Sequence, residues 1–273
     1  LDLSLRFFRR VTGRSDLDLG VFGVGNFFLP NDPAFHAEAE QVIRQALADR
    51  GFDVLVEREV PVDDTAIRPA AVKYQLPIRQ WVFTAANGGP LSDRSIHDAL
   101  MAIEGVAYTR PELRGMYPPL SLSARTQVLK GRLNSNEVVP YFSDLSDPSM
   151  EVHSMFFHTR FSTNTEPNAT MAQPFRLMAH NGELNTDKKN RLSDNAVALA
   201  RNRAIIRPHG QSDSCRLDQT LQNRVLEDDL DLVTAVVAMM PPAWENDPTL
   251  SPEVRAMLEF FSLYEEKNDG PAA

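Results

Sequence analysis

The stretch VFGVGNFFL, from Val21 to Leu29, is the apolar run from which the fold is best inferred. A short apolar run bounded by turn residues predicts a buried strand rather than a helix. Gly23 and Gly25 lie inside it and indicate a place where another backbone approaches closely. The spacing of these glycines and Gly20 does not fit G-x-G-x-x-G, and they do not follow the strand, so no nucleotide-binding loop is predicted.

Helices and strands follow this strand in mixed order. Asp32 as N-cap and Pro33 in the first turn predict an amphipathic helix that ends near Gly51. FDVLVEREV alternates in polarity and PIRQWVFTA is mostly apolar, and both predict strands. Ser92 predicts the N-cap of a second helix that reaches Gly105. A helix between two strands in this way is typical of an α+β layered fold.

The middle of the chain predicts more strands, and the last third predicts helices. Further strands are expected in SLSARTQVLKGRL (121–133), from Val152 to about His158, and in PFRLMAHNG (174–182). After Gly182 helical patterns follow in series, and the last begins with Ser251 as N-cap and Pro252 in the first turn. This order favours a layered sandwich of helices packed on sheets.

Composition and charge exclude several classes of protein. With 273 residues, 42% hydrophobic and 24% charged, the chain is globular and long enough for one large domain or two small ones. Its net charge of −9, without a basic run, argues against nucleic acid or an anionic membrane surface as a partner. The single cysteine, Cys215, excludes an internal disulfide framework and a cysteine-based zinc cluster, and it indicates a reducing cytoplasm.

Arg160 and Asp213 are candidate binding residues with opposite charges. Arg160 follows a strand-like run, and a guanidinium there can hold a carboxylate through two parallel hydrogen bonds. Asp213 opens a helical pattern, and its carboxylate can pair with an ammonium group. In isolation a surface salt bridge and a helix cap are the favoured alternatives. Together the two residues define an α-amino-acid site, provided that the fold brings their segments together.

The pair Asn181-Gly182 is the candidate catalytic element. An Asn-Gly pair after a strand is common in hairpin turns, which is the favoured interpretation of an isolated pair. The functional alternative is an oxyanion hole, in which a side-chain amide and a neighbouring backbone N–H converge on one developing negative oxygen. Glycine permits the close backbone approach that such a hole needs.

These motifs resemble the glutamine amidotransferase domain of the glutamate synthase large subunit, a class II, N-terminal-nucleophile amidotransferase. HTRFSTNT, AHNGE and SDS occur in this order, and their combination is more specific than any one of them. FGVGNFFLP, PIRQWVF and SDSCRLDQTL extend the resemblance over nearly the whole chain. The stretches DLSDP, LKG and PPAWENDP are similar to glutamate synthase in particular.

The resemblance implies a fold and a set of residue roles. The implied fold is of the α/β (α+β) class, a four-layer αββα sandwich of the N-terminal-nucleophile hydrolase type, incomplete at both ends. Residues 1–273 are then one partial class II glutamine amidotransferase domain. Arg160 would bind the α-carboxylate of glutamine and Asp213 its α-ammonium, with Thr163 beside the substrate. Asn181 and Gly182 would form the oxyanion hole.

The resemblance also implies a nucleophile that the chain lacks at the expected place. In the family an N-terminal cysteine attacks the glutamine amide, and its own α-amine is the base. Here the sequence starts at Leu1 instead of a cysteine. Its single cysteine, Cys215, has a peptide-bonded nitrogen and therefore cannot use an α-amine as the base. We therefore expect an internal piece of a longer glutamate synthase that is inactive alone, with a shortened, catalytically dead relative as the rival. Glu166 and DKKN (187–190) depart from the family pattern in the loops.

The implied function is hydrolysis of glutamine to glutamate and ammonia for reductive amination of 2-oxoglutarate. FMN and an iron–sulfur cluster are implied for the full-length enzyme, but no cofactor or metal is expected in this chain, which has no clustered cysteines. The implied partners are glutamine and glutamate, the remaining synthase domains and a small electron-donating subunit, without nucleic acid or membrane. A non-catalytic glutamine-binding or scaffold domain and the glutaminase domain of another amidotransferase are the alternatives.

Overall fold

The computed structural model describes residues 1–30, 32–110, 113, 121–159, 172–180, 187–206, 211–241 and 244–264. The chain divides into two compact units. The first comprises Leu1–Arg176 with Ile206–Gly210, and the second comprises Leu177–Ile205 with Gln211–Ala273. A single domain over residues 1–273 stays a prediction.

The first unit contains an antiparallel sheet of four strands in the order β2-β3-β1-β4. These strands are β1 (Phe22–Phe28), β2 (Phe52–Glu59), β3 (Ile78–Ala85) and β4 (Ser121–Ser123). The helices described in this unit are α1 (Leu5–Thr12), α2 (His36–Ala48), the single turn α3 (Pro69–Val72), α4 (Asp93–Thr109) and the single turn α5 (Val138–Tyr141). The predicted class, a mixture of helices with a sheet, is confirmed.

Strand β1 is buried on both faces, which explains its continuous apolar sequence. On one face Phe22 and Val24 belong to a cluster with Phe7 and Phe8 of α1. On the other face Phe27 belongs to the larger cluster formed with α2 and α4. Since successive side chains of a strand point to opposite faces, a strand covered on both sides shows no polar alternation.

The glycines of β1 are explained by side chains rather than by a neighbouring backbone. Gly23 lies opposite Phe83 of β3, and Gly25 lies opposite Leu122 of β4. A Cβ atom at Gly25 would come within 2.7 Å of the Leu122 side chain, and one at Gly23 would overlap the Phe83 ring. The tight space at these glycines therefore comes from large apolar side chains, and the prediction that another backbone causes it is wrong.

Replacing Gly23 by alanine is expected to destabilise the protein by about 1–3 kcal/mol, because the added methyl overpacks a closed core. The measurement is the free energy of unfolding from a urea titration. Gly105→Ala is the matched control, since its Cβ would lie 3.3 Å from the flexible end of Ile206. A helical glycine replaced in this way changes stability by about 1 kcal/mol or less. Equal stability of the Gly23 variant and wild type would contradict this packing.

Side-chain caps set the helix boundaries much as predicted. The Asp32 carboxylate accepts the Ala34 N–H at 2.9 Å and starts a short 3-10 turn that leads into α2. Ser92 caps α4, although the helix continues past Gly105 and ends at Thr109. A glycine costs a helix only about 1 kcal/mol, which the packing of α4 in the core overrides.

The strand predicted from Val152 to about His158 is wrong, because residues 151–159 form no strand. A strand needs a neighbouring backbone to complete its hydrogen bonds. Ser154 instead pairs with the single residue Asp2: its N–H donates to the Asp2 carboxylate at 2.9 Å, and its carbonyl accepts the Asp2 N–H at 3.2 Å. The apolar side chains of Phe156 and Phe157 are exposed, at 74% and 70%.

Two other predicted strands are shortened or missing for similar reasons. Of residues 121–133, Ser121–Ser123 alone form a strand, β4. The Ser123 hydroxyl accepts the Arg125 N–H at 3.0 Å and turns the backbone there. Residues 174–180 form no strand, and the backbone N–H groups of Leu177 and Met178 donate to the side chain of Asp218.

The regular elements among the described residues of the second unit are helices, as predicted for the last third of the chain. Its helices are α6 (Lys188–Ala200), α7 (Asp213–Leu226), α8 (Leu232–Met239) and α9 (Pro252–Tyr264). Leu217 and Leu221 of α7 form its core with Ala235 and Met239 of α8. The Ser251 hydroxyl accepts the Val254 N–H at 3.3 Å, which confirms the predicted cap of α9.

Candidate active site

Of the five predicted site residues, the structure describes one, Asp213. The other predicted site residues lie outside the described residues: Arg160, Thr163, Asn181 and Gly182. Their immediate neighbours are described, with His180 next to Asn181 and Thr159 next to Arg160. The geometry of the site is therefore built from Asp213 and from these neighbours.

The first turn of α7 presents the Asp213 carboxylate. Ser212 is the N-cap, and its hydroxyl accepts the N–H of Cys215 at 3.2 Å. Asp213 is therefore the first residue of the helix and follows the N-cap. Its exposed side chain accepts the Ser214 N–H through Oδ1 at 2.7 Å. A carboxylate at a helix N-terminus is stabilised by the helix dipole and can face a ligand ammonium.

His180 links the segment before Asn181 to the start of α7, where Asp213 lies. Its ring Nε2 shares a hydrogen bond of 2.8 Å with the Ser214 hydroxyl. Ser214 is buried and directly follows Asp213, whereas His180 directly precedes Asn181. The segment that leads into the predicted oxyanion hole therefore ends beside the residue predicted to bind the ammonium group. The sequence indicated no role for His180.

Arg216 of α7 contacts Asp187, the residue directly before α6. Its guanidinium binds both carboxylate oxygens of Asp187, at 2.8 and 3.1 Å. Burial alone would raise the pKa of the Asp187 carboxyl, but the hydrogen bonds and charge of Arg216, together with Arg191, hold that pKa below its ordinary value. Asp187 is thus an ionised, buried carboxylate bound by Arg216. It is the first residue of DKKN, the stretch that differs from the family pattern.

A separate cavity in the first unit adjoins the stretch that carries Arg160. It has a volume of about 100 Å³ and is lined by residues 127–131, 155–159 and 172–174, among others. Lys130 lines it and is nearly buried, with its ammonium 5.0 Å from the centre of the Phe175 ring. Lys130 lies within the LKG stretch, and nothing in the local sequence pattern shows that this lysine is buried.

Cys215 is buried in the first turn of α7. Its backbone nitrogen is part of the helix and donates to Ser212, so it has no free amine to act as a base. A reactive cysteine needs an accessible thiol with a lowered pKa. This placement favours a structural role for Cys215.

The residues present do not suit an iron–sulfur cluster or a metal centre. Such clusters are held mainly by several cysteine thiolates, and this chain has one cysteine. Across the part of the chain that the structure describes, no three histidine, cysteine, aspartate or glutamate side chains are grouped to hold a metal ion. Within the same residues, no helix is long and apolar enough to cross a membrane.

Comparison with known proteins identifies a matching family. The family described as glutamine amidotransferases, class II, matches residues 1–273. A ferredoxin-dependent chloroplastic glutamate synthase of Oryza sativa subsp. japonica is 32% identical, over 95% of this chain and 17% of its own length. A ferredoxin-dependent glutamate synthase of Arabidopsis thaliana is 33% identical, over 92% of this chain and 16% of its length.

A relative with a different electron donor shows the same pattern. A glutamate synthase [NADH] of Schizosaccharomyces pombe is 31% identical, over 93% of this chain and 13% of its own length. The chain thus spans between 13% and 17% of the length of these three relatives.

Proposed function

Because this chain belongs to the class II glutamine amidotransferases, we propose that it hydrolyses the side-chain amide of glutamine to glutamate and ammonia. The whole protein then uses this ammonia for the reductive amination of 2-oxoglutarate, the reaction of a glutamate synthase. The names of the relatives support this second step. The class II domain has the N-terminal-nucleophile hydrolase type of fold, as predicted from the sequence.

The hydrogen bond between His180 and Ser214 is the observation that carries the proposal. An amidotransferase must hold the amino-acid end of glutamine and stabilise the oxyanion at its amide end. The bond of 2.8 Å joins the residue before Asn181 to the residue after Asp213. It thereby supports the idea that the ammonium group and the oxyanion are bound by neighbouring parts of one site.

The proposed reaction assigns a role to each predicted residue. Arg160 holds the α-carboxylate, Asp213 holds the α-ammonium, and Thr163 lies beside the substrate. A cysteine thiolate attacks the amide carbon, and Asn181 and Gly182 donate hydrogen bonds to the resulting oxyanion. The carbon–nitrogen bond breaks as the nitrogen takes the proton that the base removed from the thiol, and ammonia leaves. Water then cleaves the thioester to glutamate and the free thiol.

The nucleophilic cysteine is proposed to lie outside these 273 residues, because Cys215 is buried within a helix. Replacing Cys215 by alanine in the full-length protein is therefore expected to leave kcat for glutamine within about twofold of wild type. The small volume change should lower stability by about 1 kcal/mol. Steady-state assays of the two proteins test this, and loss of all turnover in the variant would identify Cys215 as the nucleophile.

Cofactors and partners of the whole protein follow from the proposed glutamate synthase reaction. FMN and an iron–sulfur cluster would be held by residues outside this chain, and no residue of it is assigned to them. The further partners are the remaining synthase domains and a small electron-donating subunit. The relatives include ferredoxin-dependent and NADH-named enzymes, so the donor is left open. The single cysteine supports a reducing compartment such as the cytoplasm.

The test supplies the full-length protein with glutamine labelled with ¹⁵N at the amide, 2-oxoglutarate and dithionite as reductant. We expect unlabelled glutamate from the glutamine skeleton and an equal amount of glutamate labelled at the α-nitrogen. Glutamine binding without hydrolysis would contradict the proposal and favour a non-catalytic binding domain. Release of labelled ammonia without labelled glutamate would retain the glutaminase and contradict the synthase step.

A further inference from the structure

Helix α7 binds the chain on both sides of the segment that carries Asn181 and Gly182. Before that segment, Asp218 accepts the backbone N–H groups of Leu177 and Met178 through one oxygen, both at 2.8 Å. After it, Arg216 binds both carboxylate oxygens of Asp187. One helix therefore contacts the described chain both just before and just after residues 181–186.

The contacts along α7 show in which direction residues 177–180 run. Asp218 and Ser214 are four residues apart and therefore lie on the same face of the helix. Asp218 binds residues 177 and 178, whereas Ser214 binds His180. Residues 177–180 thus run along this face toward the N-terminus of α7. His180 thus lies beside the first turn of α7, which carries Asp213.

Asp218 is a buried carboxylate with specific hydrogen-bond partners, and not a residue that only fills space between helices. Its side chain is 2% exposed, and burying a carboxylate is costly unless strong donors satisfy it. Two backbone N–H groups are such donors, and hydrogen bonds to a charged acceptor are short and strong. Neither Leu177 nor Met178 lies in a strand that could provide another acceptor for its N–H. The Asp218 carboxylate therefore holds the backbone N–H groups of both residues 177 and 178.

We propose that Asp218 is a positioning residue that fixes Leu177–His180 on α7, so that Asn181 and Gly182 meet the amide of the glutamine bound by Asp213. This rests on the proposed function. The His180–Ser214 hydrogen bond is the second fixing point of the same segment. Asp218 does not touch the substrate, and its effect on the reaction passes through the backbone of residues 177–180.

The test measures kcat and KM for glutamine in the full-length protein and in its Asp218→Ala variant. A displacement of about 1 Å in a reacting group can cost up to about 10² in rate, so kcat should fall by about 10- to 50-fold. KM should stay within about threefold, because the oxyanion forms only in the transition state. Asp218→Asn should recover part of the rate, because its amide oxygen can still accept a hydrogen bond.

Asp194→Ala is the matched control. Asp194 is also a buried carboxylate of the second unit, 1% exposed, and binds Arg203 and Asn223, each at 2.9 Å. Its loss should lower the thermal midpoint and leave kcat within about threefold of wild type. Equal losses of kcat in the two alanine variants, or an unchanged kcat in Asp218→Ala, would overturn the inference.

A second variant keeps the inference testable if Asp218→Ala does not fold. Ser214→Ala removes the hydrogen bond to His180 and a longer one of 3.3 Å to the Asp213 carboxylate, and it leaves Asp218 in place. It should likewise lower kcat. An unchanged kcat in this variant, with Asp218→Asn also at the wild-type rate, would refute the inference. A wild-type protein without glutaminase activity would instead refute the proposed function, so the two failures are distinguishable.

Discussion

Replacing Asn181 by alanine in the full-length protein is expected to lower kcat for glutamine hydrolysis by about 10²–10³-fold, the usual effect of losing one oxyanion-hole donor. The amide N–H of Asn181 would bind the oxygen that becomes negative when the thiolate adds to the substrate. Because the neutral amide of the ground state gains little from this donor, KM for glutamine should change by about threefold or less.

Asn246→Ala is the control for this experiment, because Asn246 is exposed and has no predicted role. It should retain the wild-type kcat. Steady-state assays over a range of glutamine concentrations separate kcat from KM. A variant at position 181 with kcat within about threefold of wild type would show that Asn181-Gly182 is an ordinary turn rather than an oxyanion hole.

Replacing Asp213 by asparagine is expected to raise KM for glutamine by about 10²-fold, with a smaller effect on kcat, since hydrogen bonds to charged groups contribute about 1.5–3 kcal/mol. The substitution removes the charge that pairs with the α-ammonium. The asparagine oxygen can still accept the Ser214 N–H, which Asp213 now binds at 2.7 Å, so the start of α7 should be preserved.

Asp231→Asn makes the same change of charge at the start of the neighbouring helix. Asp231 is the N-cap of α8 and accepts the Thr234 N–H at 3.0 Å. Asparagine is an equally good N-cap, so this control should keep both stability and KM. An unchanged KM in the Asp213 variant would assign Asp213 to the helix terminus alone.

Local signals in the sequence predicted strands β1 to β3 and helices α2, α4 and α6 to α9, but not helix α1. The strand at residues 21–29 is identified by its apolar run, and the starts of α4 and α9 are identified by the hydroxyls of Ser92 and Ser251. These signals depend on neighbouring residues. The strand predicted from Val152 to about His158 failed because a strand also needs a partner, and the sequence does not show that Ser154 bonds to the side chain of Asp2.

In the candidate site too, residues marked by a local motif could be predicted, whereas residues whose partners are far away in the sequence could not. Asp213 was predicted from its place at a helix start and from the SDS motif. Asp218, His180 and Arg216 were not, because their partners lie between 29 and 41 residues away in the sequence. In a sequence Asp218 is one polar residue within a helix. Its proposed positioning role rests on its burial and on the two N–H groups that it binds, which only the fold reveals.

The most direct test of the central claim compares glutamine with 4-carbamoylbutanoate, which is glutamine without its α-amino group. Both are offered to the full-length wild-type protein and to its Asp213→Asn variant, and kcat/KM is measured for all four combinations. If Asp213 binds the α-ammonium, the variant should lose about 10²-fold on glutamine and about threefold or less on the analogue. Equal losses on the two substrates would contradict the account.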